Sequence, residues 1–315
     1  MKSALNSLMT VLLLAMPAAA TAAPVGYSVN SDAPDGDTLH RVDLATGVAT
    51  PVSDLQVLSS TTGVRKDIEG LAFDSDGVLW AVDEDSFRLF QISTLSGIVD
   101  SQGDVPISGL SDAYGNDFGM TFTCDGSLYI SSVSTQTLYR LDLDGTASPV
   151  GAMGHNISAL ASWGKPAQLY GLGNGLDGEG QYKTDSRSLF SINVETGQAT
   201  EVGSVGAQVS DYFEAGLSFS SDGTLWALVD RGDQPSQLLQ IDKNSGEAIS
   251  VIGMSAGGFE SLAVASPGGC SAPPPSRDSE NPSVRAVPVF GNPGRLLTLV
   301  LMLGTGLLAV NRFKA

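Results

Sequence analysis

Histidine and cysteine are nearly missing from this chain, with two of each among 315 residues. His40 and His155 stand far apart, and Cys124 and Cys270 share no CxxC or CxxCH context. Zinc, haem and dithiol chemistry therefore lack their ligand sets. Basic residues are scarce as well: 16 Lys and Arg against 34 Asp and Glu leave a formal charge of −18. A phosphate backbone would be repelled, which excludes nucleic acid as a partner and disfavours anionic membrane surfaces. No glycine-rich loop leads from a strand into a helix, so a phosphate cradle is absent too. Cations and basic surfaces are the partners that such a charge invites.

What is abundant is a repeat. Gly47, Gly97, Gly145, Gly197 and Gly246 follow one another at intervals of 50, 48, 52 and 49 residues. Their settings run LHRVDLATGVATPV, LFQISTLSGIVDSQG, LYRLDLDGTASPVG, LFSINVETGQATEVG and LLQIDKNSGEAISVIG. Each is an alternating strand, a Gly turn and a more polar strand. A second family precedes them: DIEGLAFDSDGVLWAVDED, NDFGMTFTCDGSLYISSVS and YFEAGLSFSSDGTLWALVDRG. In these an acidic or polar start leads through an apolar strand and an Asp-Gly turn to a strand opening Leu-aromatic. The skipped repeat, NISALASWGKPAQLYGLGNG, carries Trp163-Gly164-Lys165-Pro166 at the turn. Asp-Gly between alternating strands is a strong hairpin signal, because Gly accepts positive φ.

A period near 50 built from short alternating strands predicts an all-β fold, a β-propeller of four-stranded antiparallel blades A to D. Blade 1 is expected over about Ile68 to Val105, and blade 2 over about Asp117 to Val150. Blade 3 should span about Asn156 to Val205, and blade 4 about Phe213 to Ile252. The N-terminal stretch VGYSVNSDAPDGDTLHRVDLATGVATPVSDL supplies strands B, C and D, and Gly258 to Pro267 supplies only an A strand. Together they make a fifth blade that closes the ring and removes an exposed edge. Phe73, Phe122 and Phe219, with Trp80, Tyr129, Tyr170 and Trp226, are read as packing between blades.

The ends are organised differently. Lys2 and the apolar run Leu8 to Ala20, followed by Ala20-Thr21-Ala22, read as a signal peptide over 1–22, so the propeller at 23–267 is expected to be exported. A Pro/Ser-rich linker is expected at 268–286, and a hydrophobic segment with a basic end at 287–315. Val287-Pro288-Val289-Phe290 and the helix-like run Leu296 to Val310, ending in Arg312 and Lys314, resemble the IPTL-CTERM sorting signals of Gram-negative bacteria. That resemblance implies processing by a sorting peptidase and delivery to the cell envelope surface or the outside. A plain single-pass transmembrane anchor is the other reading of the same segment. Phrases such as EGLAFDSDGVLWAVDED and EAGLSFSSDGTLWALVDRGD resemble secreted bacterial propellers of the NHL, gluconolactonase and esterase-like phytase kind. This second resemblance implies fold more than activity.

In such a ring the starts of the A strands and the ends of the B strands share one face. The A starts carry Asp67, Glu69, Asp117, Asp211, Glu214 and Glu260, with Asn156 and Ser158 in blade 3. The B ends carry Asp32, Asp35 and Asp37, then Asp83, Glu84 and Asp85, then Asp230 and Asp233. Like charges crowded at a channel mouth call for a bound cation, raised pKa values or separation in water. Hard oxygen donors suit calcium better than zinc, so Glu69, Asp117, Asn156, Glu214 and Glu260 form the candidate Ca2+ set, against a solvated acidic rim. Two functions fit. One is a monomeric binding platform at the cell surface for a polysaccharide, a protein or cations. The other is a calcium-dependent hydrolase of lactonase, phosphatase or esterase type, as the gluconolactonase resemblance implies, with His155 and Asp230 as candidate catalytic groups. Cys124 ends strand A of blade 2 and Cys270 follows the closing strand towards the same face, so a disulfide between them is expected to pin ring closure.

Overall fold

The computed structural model describes residues 24–31, 37–54, 56–59, 63–64, 67–110, 117–176, 182–183 and 187–270. The stretch read as a signal peptide, Asp32 and Asp35, the stretch read as a linker beyond Cys270 and the C-terminal segment lie outside the described residues.

The repeat folds into five antiparallel blades. Blade 1 is Ile68–Phe73, Leu79–Asp83, Arg88–Ile92 and Val99–Pro106; blade 2 is Phe118–Phe122, Leu128–Ser132, Thr137–Leu141 and Ala147–Ala152. Blade 3 is Ile157–Trp163, Gln168–Gly173, Ser188–Ile192 and Ala199–Ser204; blade 4 is Ala215–Phe219, Leu225–Arg231, Gln234–Ile241 and Ala248–Gly253. The turn glycines take the left-handed backbone that the hairpins need, as at Gly77 (φ 79°) and Gly246 (φ 81°). Two short ribbons, Leu58–Ser59 with Gly63–Val64 and Gly175–Leu176 with Tyr182–Lys183, are additions that the repeat did not foretell.

Blade 5 is shared between the chain ends. Val25–Asn30, Thr38–Asp43 and Ala49–Pro51 form three strands. The inner position is filled by the stretch around Phe259 to Ala263. Tyr27 and Ala263 exchange both backbone hydrogen bonds, at 2.7 and 2.9 Å, and the Ser31 amide reaches the Gly258 carbonyl at 3.0 Å. Between those points the ladder runs through side chains. Ser28 Oγ donates to the Ser261 carbonyl at 2.6 Å, and Val29 N–H to Ser261 Oγ at 3.3 Å. Closure therefore appears as two isolated bridges instead of a continuous strand.

Apolar clusters fill each interface. Leu79 and Phe90 of blade 1 meet Val29 and Leu39 of blade 5, while Trp80 and Val82 meet Phe118 and Ile130 of blade 2. Leu138 packs on Leu160 and Phe190, Leu172 on Leu217 and Leu225, and Leu228 on Val42 and Leu262. The recurring aromatics lie in these interfaces, with Trp80 and Phe122 ring centroids 6.2 Å apart and Trp163 and Phe219 5.2 Å apart.

Along the axis the inner strands touch. A Cβ at Gly216 would lie 2.2 Å from Leu262 N, and one at Gly119 2.7 Å from the Ala159 carbonyl carbon, so only glycine permits this approach. The axial voids shrink to 10 and 20 Å3, room for at most a single water. The lower end is covered by Ala265–Gly268, which lies against Phe73, Phe122 and Phe219. Gly164 N–H donates to the Gly268 carbonyl at 2.9 Å, and Cys124 and Cys270 form the expected disulfide, with Cα atoms 5.2 Å apart. Among the described residues the ring is thus closed from below by Ala265–Gly268.

Candidate functional site

Four blades send carboxylates to the top of this closed axis, each through a local feature of its A strand. In blade 1 the pairing register slips between Ile68 and Gly70, making Glu69 the extra residue of a bulge. A bulge re-aims its side chain relative to regular alternation. Asp117 stands immediately before Phe118–Phe122, where its carbonyl accepts from Val133 N–H at 3.1 Å. Glu214 stands one residue before Ala215–Phe219 and accepts from Asp230 N–H at 2.9 Å through its carbonyl. Glu260 lies in the closing segment, and Ser31 Oγ donates to its Oε2.

All four are buried. Oxygens of Glu69, Asp117 and Glu214 lie within 4.8 Å of one another. Burial, then the charges of Glu214, Glu260, Asp117 and Asp67, push the Glu69 carboxyl well above its usual range. Glu214 is raised in the same way, by burial first and then by Asp117 and Glu260. Asn156 lies beside this set in sequence order, but its Oδ1 already accepts from Gln136 Nε2 at 2.6 Å.

A second layer stands behind the first. Asp37 is buried with its Oδ2 accepting from Ile68 N–H at 2.8 Å, and its carboxyl is pushed up to about 8, mainly by burial and then by Asp83, Asp67 and Glu260. Asp83 accepts from Ser86 N–H at 2.7 Å through Oδ1. Sequence position marked these two as rim acids; it gave no sign that both are buried. By contrast Asp85, Asp211 and Asp233 are exposed, and Asp211 pairs with Arg187 at 2.8 Å. The acids of the upper face thus divide into a buried set and a solvated rim.

The candidate catalytic groups are engaged in other contacts. His155 packs on Phe190, with centroids 4.6 Å apart, in the interface between blades 2 and 3, and is not among the groups that converge. Asp230 uses both oxygens on backbone, accepting from Gly232 N–H at 2.7 Å and Gly258 N–H at 2.9 Å. The bond from Gly258 ties blade 4 to the closing segment. Gly253-Met254-Ser255-Ala256-Gly257 spells G-x-S-x-G, which sequence reading overlooked. It joins strand D of blade 4 to the closing segment and leads into no helix, so the strained strand-to-helix elbow that exposes a nucleophile is missing.

No family model matches this chain, and no curated protein matches it. Among solved structures it is similar to virginiamycin B lyase from Staphylococcus aureus, with 15% identity and a TM-score of 0.40 over 75% of this chain and 72% of that one. It is also similar to a chain of a nidogen/laminin complex, with 12% identity and a TM-score of 0.47 over 77% and 98%. A protein of unknown function from Bacteroides caccae gives 11% identity and a TM-score of 0.43 over 76% and 98%. No activity is carried across from these likenesses.

Proposed function

We propose that this protein is an exported, surface-displayed propeller whose upper face is a binding platform organised by calcium, held by Glu69, Asp117, Glu214 and Glu260 with Asn156 at the edge. One observation carries the reading: three buried carboxylates from three blades bring their oxygens within 4.8 Å of one another. Uncompensated, such a group must take up protons or destabilise the ring. A divalent cation neutralises it, and an all-oxygen set of irregular spacing suits the flexible coordination of Ca2+. Among the described residues the axis is packed shut beneath this group, so the reading puts ligand approach on the upper face.

The cation would supply a positive anchor for oxygen atoms of a surface ligand, while the carboxylates keep it in place. Export and surface delivery rest on the leader-like and tail-like ends of the sequence and on the fit of a disulfide with an oxidising compartment. The hydrolase reading is less favoured because His155 is stacked on Phe190 and Asp230 is engaged on two amides.

Thermal unfolding of the purified protein in EDTA and in millimolar Ca2+ tests the proposal. Calcium at about a hundredfold over its dissociation constant should add about 2.7 kcal/mol. Replacing Glu69 and Glu214 together by Gln should abolish that gain while raising stability in EDTA. An unchanged melting temperature in the native protein would sink the proposal.

A further inference from the structure

Blade 3 repeats the local device that places Glu69. In blade 1 the pairing runs Ile68 with Asp83 and then Gly70 with Val82, leaving Glu69 as the extra residue. In blade 3 it runs Ile157 with Gly173 and then Ala159 with Leu172, leaving Ser158 in the same position. The same backbone bond stands above each slip. Glu84 N–H donates to the Asp67 carbonyl at 2.8 Å, and Asn174 N–H to the Asn156 carbonyl at 3.3 Å. Ser158 is therefore the blade-3 counterpart of Glu69.

Its neighbours decide where it faces. Ile157 and Leu160 pack towards blade 2, and Ala159 and Ala161 towards blade 4. Ser158 belongs to neither interface and lines the 10 Å3 axial void together with Glu69. It is 2% exposed, and its Oγ has no hydrogen-bond partner. Two other serines near the axis are engaged: Ser131 Oγ accepts from Gly119 N–H at 3.0 Å, and Ser261 Oγ from Val29 N–H at 3.3 Å. A buried hydroxyl left without a partner is rare, and an ion beside it is one of the few conditions that compensate it.

Resting on the calcium reading above, we propose that Ser158 Oγ is the blade-3 ligand of the axial cation, a neutral donor beside the convergent carboxylates of Glu69, Asp117 and Glu214. Asn156, at the entry of the same strand, has its Oδ1 occupied by Gln136 Nε2 and stays at the edge. Calcium takes about six to eight oxygens, and a hydroxyl that keeps its proton adds one without adding like-charge repulsion.

Isothermal titration of the EDTA-stripped full-length protein with CaCl2 tests this. Ser158→Ala should weaken calcium uptake about tenfold. Its urea midpoint in EDTA should equal or exceed the native one, because the substitution removes a buried hydroxyl that has no partner. Ser158→Cys puts a soft sulfur at the same point, so it should weaken Ca2+ uptake and tighten Cd2+ uptake relative to the native chain. A hydroxyl that serves only the fold would not produce that reversal. Native calcium affinity in Ser158→Ala, a lowered urea midpoint of that variant in EDTA, or no gain for Cd2+ in Ser158→Cys each overturns the role of Ser158 and leaves the axial carboxylate site standing. No calcium uptake by the native chain overturns this inference and the calcium reading together.

Discussion

Replacing Asp37 by Asn isolates one buried carboxyl whose energetics can be worked through. Its pKa rises from the ordinary 3.8 to about 8, chiefly through burial. A folded-state pKa above the unfolded one means that the native protein holds a proton which the unfolded chain has released. Stability is then complete below pH 4 and falls as pH rises through 8. The slope is about 1.4 kcal/mol per unit between those limits, so two units of pH cost about 3 kcal/mol. With a urea m-value of about 2–3 kcal/mol/M for a domain of this size, that is a fall of about 1 M in midpoint between pH 5 and pH 7. Asn keeps an oxygen for Ile68 N–H and places an NH2 where Oδ1 had no donor. In EDTA, the variant should therefore lie close to the native protein at pH 4.5 and above it by several kcal/mol at pH 8. Equilibrium urea unfolding at four pH values gives the comparison directly. A native protein whose stability climbs from pH 5 to pH 8 in EDTA, or a variant whose advantage is the same at every pH, would refute the reasoning.

Three other outcomes are expected. Calcium should reverse the alkaline loss in the native protein but not in the Glu69→Gln, Glu214→Gln double variant, as read by melting temperature at pH 8. The Cys124–Cys270 bridge spans 146 residues of sequence, for which loop-closure entropy gives about 5 kcal/mol. Cys270→Ser should show that loss in urea, while the native protein, denatured without reductant, should give no free thiol by Ellman titration. Gly216→Ala places a methyl 2.2 Å from Leu262 N. It should cost about 3 kcal/mol or more and speed hydrogen exchange at Tyr27 and Ala263, where the closing bridges sit; unaltered exchange there would contradict the packed axis.

Local chemistry made most of the architecture legible before any coordinates. Asp-Gly turns, positive-φ glycines and alternation over a few residues each act within one hairpin, so the strands of blades 1 to 4 lie where the repeat put them. The odd strands at the two ends announced ring closure by simple bookkeeping, and the disulfide followed from the direction of the strands that carry its cysteines. The axial carboxylates were also named from sequence, because every A strand begins on the same face.

Long-range packing decided the remainder. That Glu69 stands in a bulge depends on how Ile68–Phe73 pairs with Leu79–Asp83, a register that no pattern along the A strand encodes. The burial of Asp37 and Asp83 reflects neighbouring blades closing over them, whereas Asp85 and Asp233, of the same type and in similar turns, remain in water. The axis is shut because Gly119 faces Ala159 and Gly216 faces Leu262, pairs about 40 and 46 residues apart. Hairpins are specified by neighbours in the chain; burial, and with it the strength of every charge at the site, arises only when distant segments exclude the solvent between them.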